Sequence, residues 1–178
     1  MSQEELWQLF PIILTEHKEK WKAQFKEEKT FLGNVLSPFR SVRINHIGST
    51  AIPSIWAKPI VDILVEIDGK ENMDRVARAL IKNGYLKMSE SNKRMSFNKG
   101  YTKQGFADKV FHLHLRYTGD NDELLFRDYL VSHPDKAKEY EALKLSLWHH
   151  YEHDRDGYTD AKSEFVKRIT DLAKTEKI

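Results

Sequence analysis

The run Ile60-Val61-Asp62-Ile63-Leu64-Val65-Glu66-Ile67 constrains the fold more than any other part of this chain. It is rich in β-branched residues, is bounded by Pro59 and Asp68-Gly69, and has the length of a strand covered on both faces. Side chains alternate across a strand, so Val61, Ile63 and Val65 share one face while Asp62, Leu64 and Glu66 share the other. An acidic group in the middle of such a run is costly to bury without a partner. Asp62 therefore demands a metal ion or a cation, and the rest of the chain must supply it.

Upstream, residues 42–47 alternate apolar with polar and read as a strand that feeds Gly48-Ser49. A glycine lets backbone approach a ligand closely, and the Ser49 hydroxyl with neighbouring N–H groups suits phosphate oxygens. Lys58, just before the acidic strand, either neutralises such a phosphate or is an ordinary solvated loop lysine. Downstream, Phe111-His112-Leu113-His114-Leu115 puts two imidazoles on one strand face, about 7 Å apart. They are either a core histidine with a hydrogen-bonding neighbour or two ligands of one ion. In the second case Asp62, His112 and His114 hold a divalent metal, with Glu66 or water completing the shell. Nitrogen donors favour zinc, manganese or nickel, while magnesium would arrive with a nucleotide.

The remaining elements fall into place around this centre. Ser2 and Glu5 form a capping box for a first helix that Pro11 ends. Thr15 is the expected N-cap of a helix whose Trp21, Phe25, Leu32, Val35 and Leu36 share a face, and Pro38 closes it. Asn72 caps a helix that stops at Gly84, with Met73, Val76, Ala77, Leu80 and Ile81 as its stripe. Residues 85–89, 94–98 and 109–117 read as strands, with Gly100 and Lys103-Gln104-Gly105 in the loop between the last two. From Asp120 onward the periodicity is helical. One helix ends at His133-Pro134, a second carries Ala137, Tyr140, Leu143, Lys144, Leu147, Trp148 and Tyr151, and a third begins near Thr159 after a break at residues 154–157. Ala161, Phe165, Ile169 and Leu172 are the expected buried positions of that last helix.

Composition removes several classes. Lysine and arginine exceed aspartate and glutamate by only two, which gives no electrostatic case for a nucleic-acid binder. The absence of cysteine excludes disulfides, zinc-thiolate sites and thiol nucleophiles together. No run approaches a membrane span, and the N-terminal residues lack a signal-peptide pattern, so the expected location is the cytoplasm.

His46-x-Gly48-Ser49-Thr50-Ala51-Ile52-Pro53 followed by Ala57-Lys58-Pro59-Ile60-Val61-Asp62 resembles the GrpB family, bacterial proteins of the UPF0157 type placed with the nucleotidyltransferase superfamily. The likeness continues through His112-x-His114-Leu115, Phe126-Arg127-Asp128-Tyr129-Leu130, His133-Pro134, Tyr140-x-x-x-Lys144 and Tyr158-x-x-x-Lys162. It implies an α/β fold with a minimal, mixed nucleotidyltransferase-like sheet flanked by helices, over residues 1–118, and a C-terminal helical region over residues 119–178 packed on it, either as two units or as one domain overall. It further implies transfer of a nucleoside monophosphate from a nucleoside triphosphate to an unknown acceptor, with a divalent metal. In that scheme Gly48, Ser49, Lys58, Arg127 and Tyr158 bind the nucleotide, Asp62, Lys144 and Lys162 do the chemistry, and Asp62, Glu66, His112 and His114 face the metal. Read as residues alone, Arg127 and Asp128 make a helix-surface ion pair, and each Tyr/Lys pair is a packed ring with a lysine lying past it. Leu64 stands where the superfamily has its second carboxylate. The alternative function is therefore a nucleotide- or metal-binding module that has kept the fold without the chemistry.

Overall fold

The computed structural model describes residues 2–177, so the outermost residue of each expected region lies outside the description. Two N-terminal helices, α1 (Gln3–Leu9) and α2 (Lys20–Val35), precede the strand β1 (Arg43–Ile47). A single 3-10 turn, Ser49–Ala51, leads by an extended connection to β2 (Val61–Ile67), then α3 (Met73–Lys82), β3 (Leu86–Ser91), β4 (Arg94–Thr102) and β5 (Gly105–Tyr117). Three helices finish the chain: α4 (Asp122–Ser132), α5 (Pro134–Trp148) and α6 (Arg155–Glu176). None of the described helices is long and apolar enough to cross a membrane.

The five strands form one mixed sheet in the order β1-β2-β5-β4-β3. Only β2 and β5 run parallel, and the α3–β3–β4 passage between them is the long crossover that a parallel pair requires. One face of the sheet is a continuous apolar layer. Val61, Ile63, Val65 and Ile67 of β2, Phe111, Leu113 and Leu115 of β5, and Met95 and Phe97 of β4 pack against Trp21, Leu32 and Leu36 and against Val76, Ala77 and Leu80. Each fully buried aliphatic or aromatic side chain contributes about 1.5–3 kcal/mol, so this layer, with α2 and α3 as its cover, is what holds the sheet.

The opposite face is polar. Register puts Asp62 beside His112, Leu64 beside His114 and Glu66 beside Arg116. It also sets Asn98 against His112, Ser96 against His114 and Arg94 against Arg116. Over this face the C-terminal helices have a core of their own, in which Ile52 and Ile55 pack with Phe126, Leu130, Tyr140 and Ile169. The connection between the 3-10 turn and β2 is thus anchored in the helical region.

Local chemistry explains where the chain departs from expectation. The Ser2–Glu5 capping box and the Asn72 cap form as expected, the latter through donation from the Asp74 and Arg75 N–H groups. Thr15 does not start α2, because its N–H and carbonyl are both bonded to Ala57 in an isolated bridge, and the helix begins five residues later. The expected loop around Gly100 is instead a long hairpin. Gly100 sits at φ +96 in a bulge where a Cβ would collide with the Lys109 carbonyl, and the Thr102 hydroxyl donates to Gly105 O at 2.8 Å across the turn. The expected break at residues 154–157 is the first turn of α6, since the Asp154 carboxylate accepts from Gly157 N at 2.9 Å and caps it. Ile169 is buried as expected, but Leu172 is exposed.

Candidate active site

The site begins at Gly48. Its backbone has φ +74 and ψ −173, which glycine alone adopts without strain, and a Cβ there would lie 2.5 Å from Asp62 Oδ2. The turn therefore rests directly on the carboxylate. The 3-10 turn that follows is closed by donation from Ala51 N to Gly48 O at 3.1 Å. Behind it, Thr50 is held by its hydrogen bond of 2.8 Å with His46 Nε2.

Across the β2–β5 pair, Asp62 Oδ1 lies 3.6 Å from His112 Nδ1 and 3.6 Å from His114 Nε2. The second nitrogen of His112 is 2.6 Å from the Tyr101 hydroxyl, which accepts from Arg155 at 2.9 Å. With its oxygen already accepting from a guanidinium, Tyr101 is placed to donate its own proton to His112 Nε2, which leaves the imidazole hydrogen on Nδ1, facing Asp62. Burial pushes His112 down to about 3, so the ring is neutral across the ordinary pH range. Burial alone would push Asp62 up. The facing His114 and His112 rings and the Lys58 ammonium outweigh it and hold the carboxyl below its usual range.

Around this single carboxylate stand four cations. Lys58 and Lys162 are half-buried, with their ammonium groups 5.5 Å and 4.3 Å from the Tyr158 ring centroid. Lys144 is 2% exposed, lies over the Tyr140 ring at 4.8 Å and donates to the Trp56 carbonyl. Arg155 lies over the Tyr101 ring at 5.5 Å. Among the described residues none of the four has a carboxylate oxygen within 4.0 Å. Burial first, then Lys162 and Arg155, push Lys58 down to about 7. Burial, then Lys162 and Lys58, do the same to Lys144, also to about 7. Burial takes Lys162 to about 8 against the pull of Asp62. Tyr158 is fully buried and its hydroxyl has no hydrogen-bond partner among the described residues, while the Tyr140 hydroxyl faces Ser49.

From Asp62 a cleft of about 630 Å³ runs between the polar sheet face and the helices α4 and α6. Gly48, Asp62, His114 and Lys162 line one end, Phe126, Thr159 and Val166 the wall, and Arg94, Asp122 and Lys174 the far end. That size accommodates a nucleotide-sized ligand. At the far end the charges are paired: Arg94 grips Asp120 with two bonds of 2.8 Å and 2.6 Å, and Arg116 reaches Glu123 at 3.3 Å.

Of the expected residues, Gly48, Asp62, His114 and Lys162 line one end of the cleft, His112 faces Asp62 beside them, and Lys58 shares the Tyr158 ring with Lys162. Two expected residues lie elsewhere. Glu66 is 1% exposed, and its Oε1 accepts from Gly119 N at 3.1 Å and Asn121 Nδ2 at 3.0 Å. Its carboxylate is consumed in fixing the turn from β5 into α4, because a buried carboxylate takes the nearest donors. Arg127 lies behind the 3-10 turn, where it donates to His46 O at 2.8 Å and pairs with its neighbour Asp128. It lines a separate groove with Lys22, Lys26 and Thr50. Of the four donors expected for a divalent ion, Glu66 is committed to the turn and His112 Nε2 to Tyr101, while Asp62 Oδ1 stands 3.6 Å from His112 Nδ1 and from His114 Nε2. Among the described residues there is no group of three or more His, Cys, Asp or Glu side chains arranged to hold a metal. Asp62 and His114 remain over the cleft. Tyr101 and Arg155 are site residues that sequence reading missed, since both stood in segments taken for loops.

Residues 11–172 match a family model described as GrpB protein. UPF0157 protein YqkA of Bacillus subtilis is 37% identical over 161 residues, which are 89% of this chain and 46% of the relative, so the chain spans about half of that relative's length. The crystal structure of conserved protein GrpB from Enterococcus faecalis superposes with a TM-score of 0.79 at 30% identity, covering 92% of this chain and 98% of that one. A structure of the Cid1 poly(U) polymerase with MgGTP bound superposes with a TM-score of 0.54 at 15% identity over 84% of this chain and 46% of that one, which shows the shared nucleotidyltransferase fold.

Proposed function

The chain belongs to the GrpB family, and from that premise we propose that it binds a nucleoside triphosphate in the α4–α6 cleft and transfers the nucleoside monophosphate to an acceptor. The observation that carries this reading is the lone carboxylate Asp62, pressed against the Gly48 turn and surrounded by unpaired cations, on a nucleotidyltransferase fold. Unpaired half-buried cations are stable sites for an anion, and a Gly-Ser turn is where phosphate oxygens meet backbone N–H groups.

In this scheme the triphosphate lies over Gly48 and Ser49 with the nucleoside extending along the cleft toward Phe126 and Thr159. Asp62, ionised at neutral pH, takes the proton of the acceptor hydroxyl as its oxygen bonds to the α-phosphorus. The bond from the α-phosphorus to the bridging oxygen breaks, and pyrophosphate leaves with its charge balanced by Lys58, Lys144 and Lys162. Positioning and electrostatic stabilisation of this kind are most of what phosphoryl chemistry requires. A divalent ion carried in on the triphosphate would meet Asp62 and His114, the two expected ligands left facing the cleft.

Leu64, 0% exposed in the position of the superfamily's second carboxylate, favours a second reading in which binding survives without transfer. Incubation with labelled nucleoside triphosphates, divalent ions and a cell extract separates the two. Pyrophosphate release that disappears in Asp62→Asn supports the enzyme, and tight nucleotide binding without any release leaves the binding module.

A further inference from the structure

The two halves of the polar sheet face balance their charges differently. At the far end each arginine has its carboxylate: Arg94 with Asp120, Arg116 with Glu123. At the Gly48 end Lys58, Lys144, Lys162 and Arg155 have no carboxylate oxygen within 4.0 Å among the described residues, and Asp62, which attracts the three lysines, faces two imidazoles. Taking a charge out of water without a counter-ion costs several kcal/mol, and a fold retains such a group where a ligand of opposite sign completes it. The same end lacks the convergent carboxylates that would hold divalent ions, because Leu64 fills one place and Glu66 serves the β5–α4 turn. Charge that carboxylate-bound metal would bring to a triphosphate can come instead from the guanidinium of Arg155 and from these lysines as they take up protons.

We propose that this cleft takes the triphosphate as the free anion, with Lys162, which lines it, and Lys58, which shares the Tyr158 ring with Lys162, in the place of a divalent ion. This rests on the reading of the cleft as a nucleotide site and deepens it. A metal complex of the same triphosphate carries less negative charge and so leaves part of the cationic cluster unbalanced. Two further features fit the free anion. The Tyr158 ring, flanked by the Lys58 and Lys162 ammonium groups at 5.5 Å and 4.3 Å, carries a buried hydroxyl without a partner among the described residues. The lysines also crowd one another: Lys162 and Arg155 act on Lys58, and Lys162 and Lys58 act on Lys144, with only Asp62 and Glu141 opposing. An arriving anion reverses that crowding, so binding draws protons onto the lysines.

Titration calorimetry with each ribonucleoside triphosphate tests the proposal, run in excess EDTA and again in millimolar magnesium, in two buffers of different ionisation enthalpy at pH 8. The expected result is affinity in EDTA at least equal to that in magnesium, uptake of about one proton per triphosphate, and a loss of about tenfold in affinity per pH unit above pH 8. Lys58→Met and Lys162→Met should each weaken binding in EDTA by at least about tenfold, and the proton-uptake measurement on the unaltered protein stands even if a variant fails to fold. Binding that appears only with magnesium overturns the free-anion proposal and leaves the nucleotide site intact. Absence of binding under both conditions overturns the nucleotide site as well.

Discussion

Asp62 and Glu66 occupy the same face of the same strand, two side chains apart, and the fold uses them in opposite ways. Glu66 is sealed in, with its Oε1 answered by Gly119 N and Asn121 Nδ2, which makes it a structural acceptor that fixes where α4 begins. Asp62 faces the cleft with only imidazoles at ion-pair distance, near lysines that have no carboxylate oxygen within 4.0 Å among the described residues. Acidic residues in a buried strand are therefore not a functional signal in themselves. What separates the two is whether local donors satisfy the charge, and the excess of cations around Asp62 marks the end of the strand that awaits a ligand.

The contrast is open to direct attack. The largest effect should come from Asp62→Asn, which keeps the shape and removes the charge: pyrophosphate release per folded molecule falls on the order of a thousandfold, about 4 kcal/mol in the barrier. Glu66→Gln is its counterpart, and turnover within threefold of the unaltered protein is expected. An equal collapse of both variants would break the distinction. On the apolar face Ile63→Ala should cost about 2–5 kcal/mol in urea denaturation without changing turnover per folded molecule, because Ile63 is buried against α2 and α3 and touches nothing in the cleft. Gly48→Ala should cost about 1–3 kcal/mol of stability and weaken triphosphate binding, since its methyl group would meet the Asp62 carboxylate.

The smallest effect has the more informative sign. Lys162 titrates at about 8 in the folded protein against 10.5 as an unperturbed lysine, so below pH 8 both states hold the proton and the folded state bears the full penalty of burying it. Lys162→Met should raise the melting temperature at pH 7 by about 2–4 °C, corresponding to about 1 kcal/mol. The gain should shrink as pH rises through 8 and vanish above 10.5, where neither state is protonated. A variant that is more stable and binds less well sharpens the view that these cations are kept for a ligand.

Much of the architecture was legible because it rests on period and punctuation. The alternation of β2, the caps at Ser2 and Asn72, and the helical stripes are local signals, and the resemblance supplied the mixed sheet around them. Gly48, Asp62, His112 and His114 were legible for the same reason, since strand parity decides which side chains share a face. Tyr101 and Arg155 were not, because each depends on a local event that mimics its opposite. The Gly100 bulge reads as a loop but carries β4 through to Thr102, four residues past the expected end, and the Asp154 cap reads as a break but starts a helix. Glu66 and Arg127 were misplaced for a different reason. Their partners, Gly119, Asn121 and the His46 carbonyl, lie 53, 55 and 81 positions away, and no local pattern announces them.

Glu66 also bears on how a ligand gets in. Its carboxylate ties the floor strand to the start of α4, and the Trp56 backbone is clasped from α5, its N–H by Glu141 at 2.7 Å and its carbonyl by Lys144. The floor strand is thus tied to the α4 wall, and the connection that leads into that strand is tied to α5, so the slot is already shaped before anything enters it. Encounter should then be a single kinetic step: in stopped flow the observed rate should climb linearly with ligand concentration, without the plateau that a slow opening motion imposes.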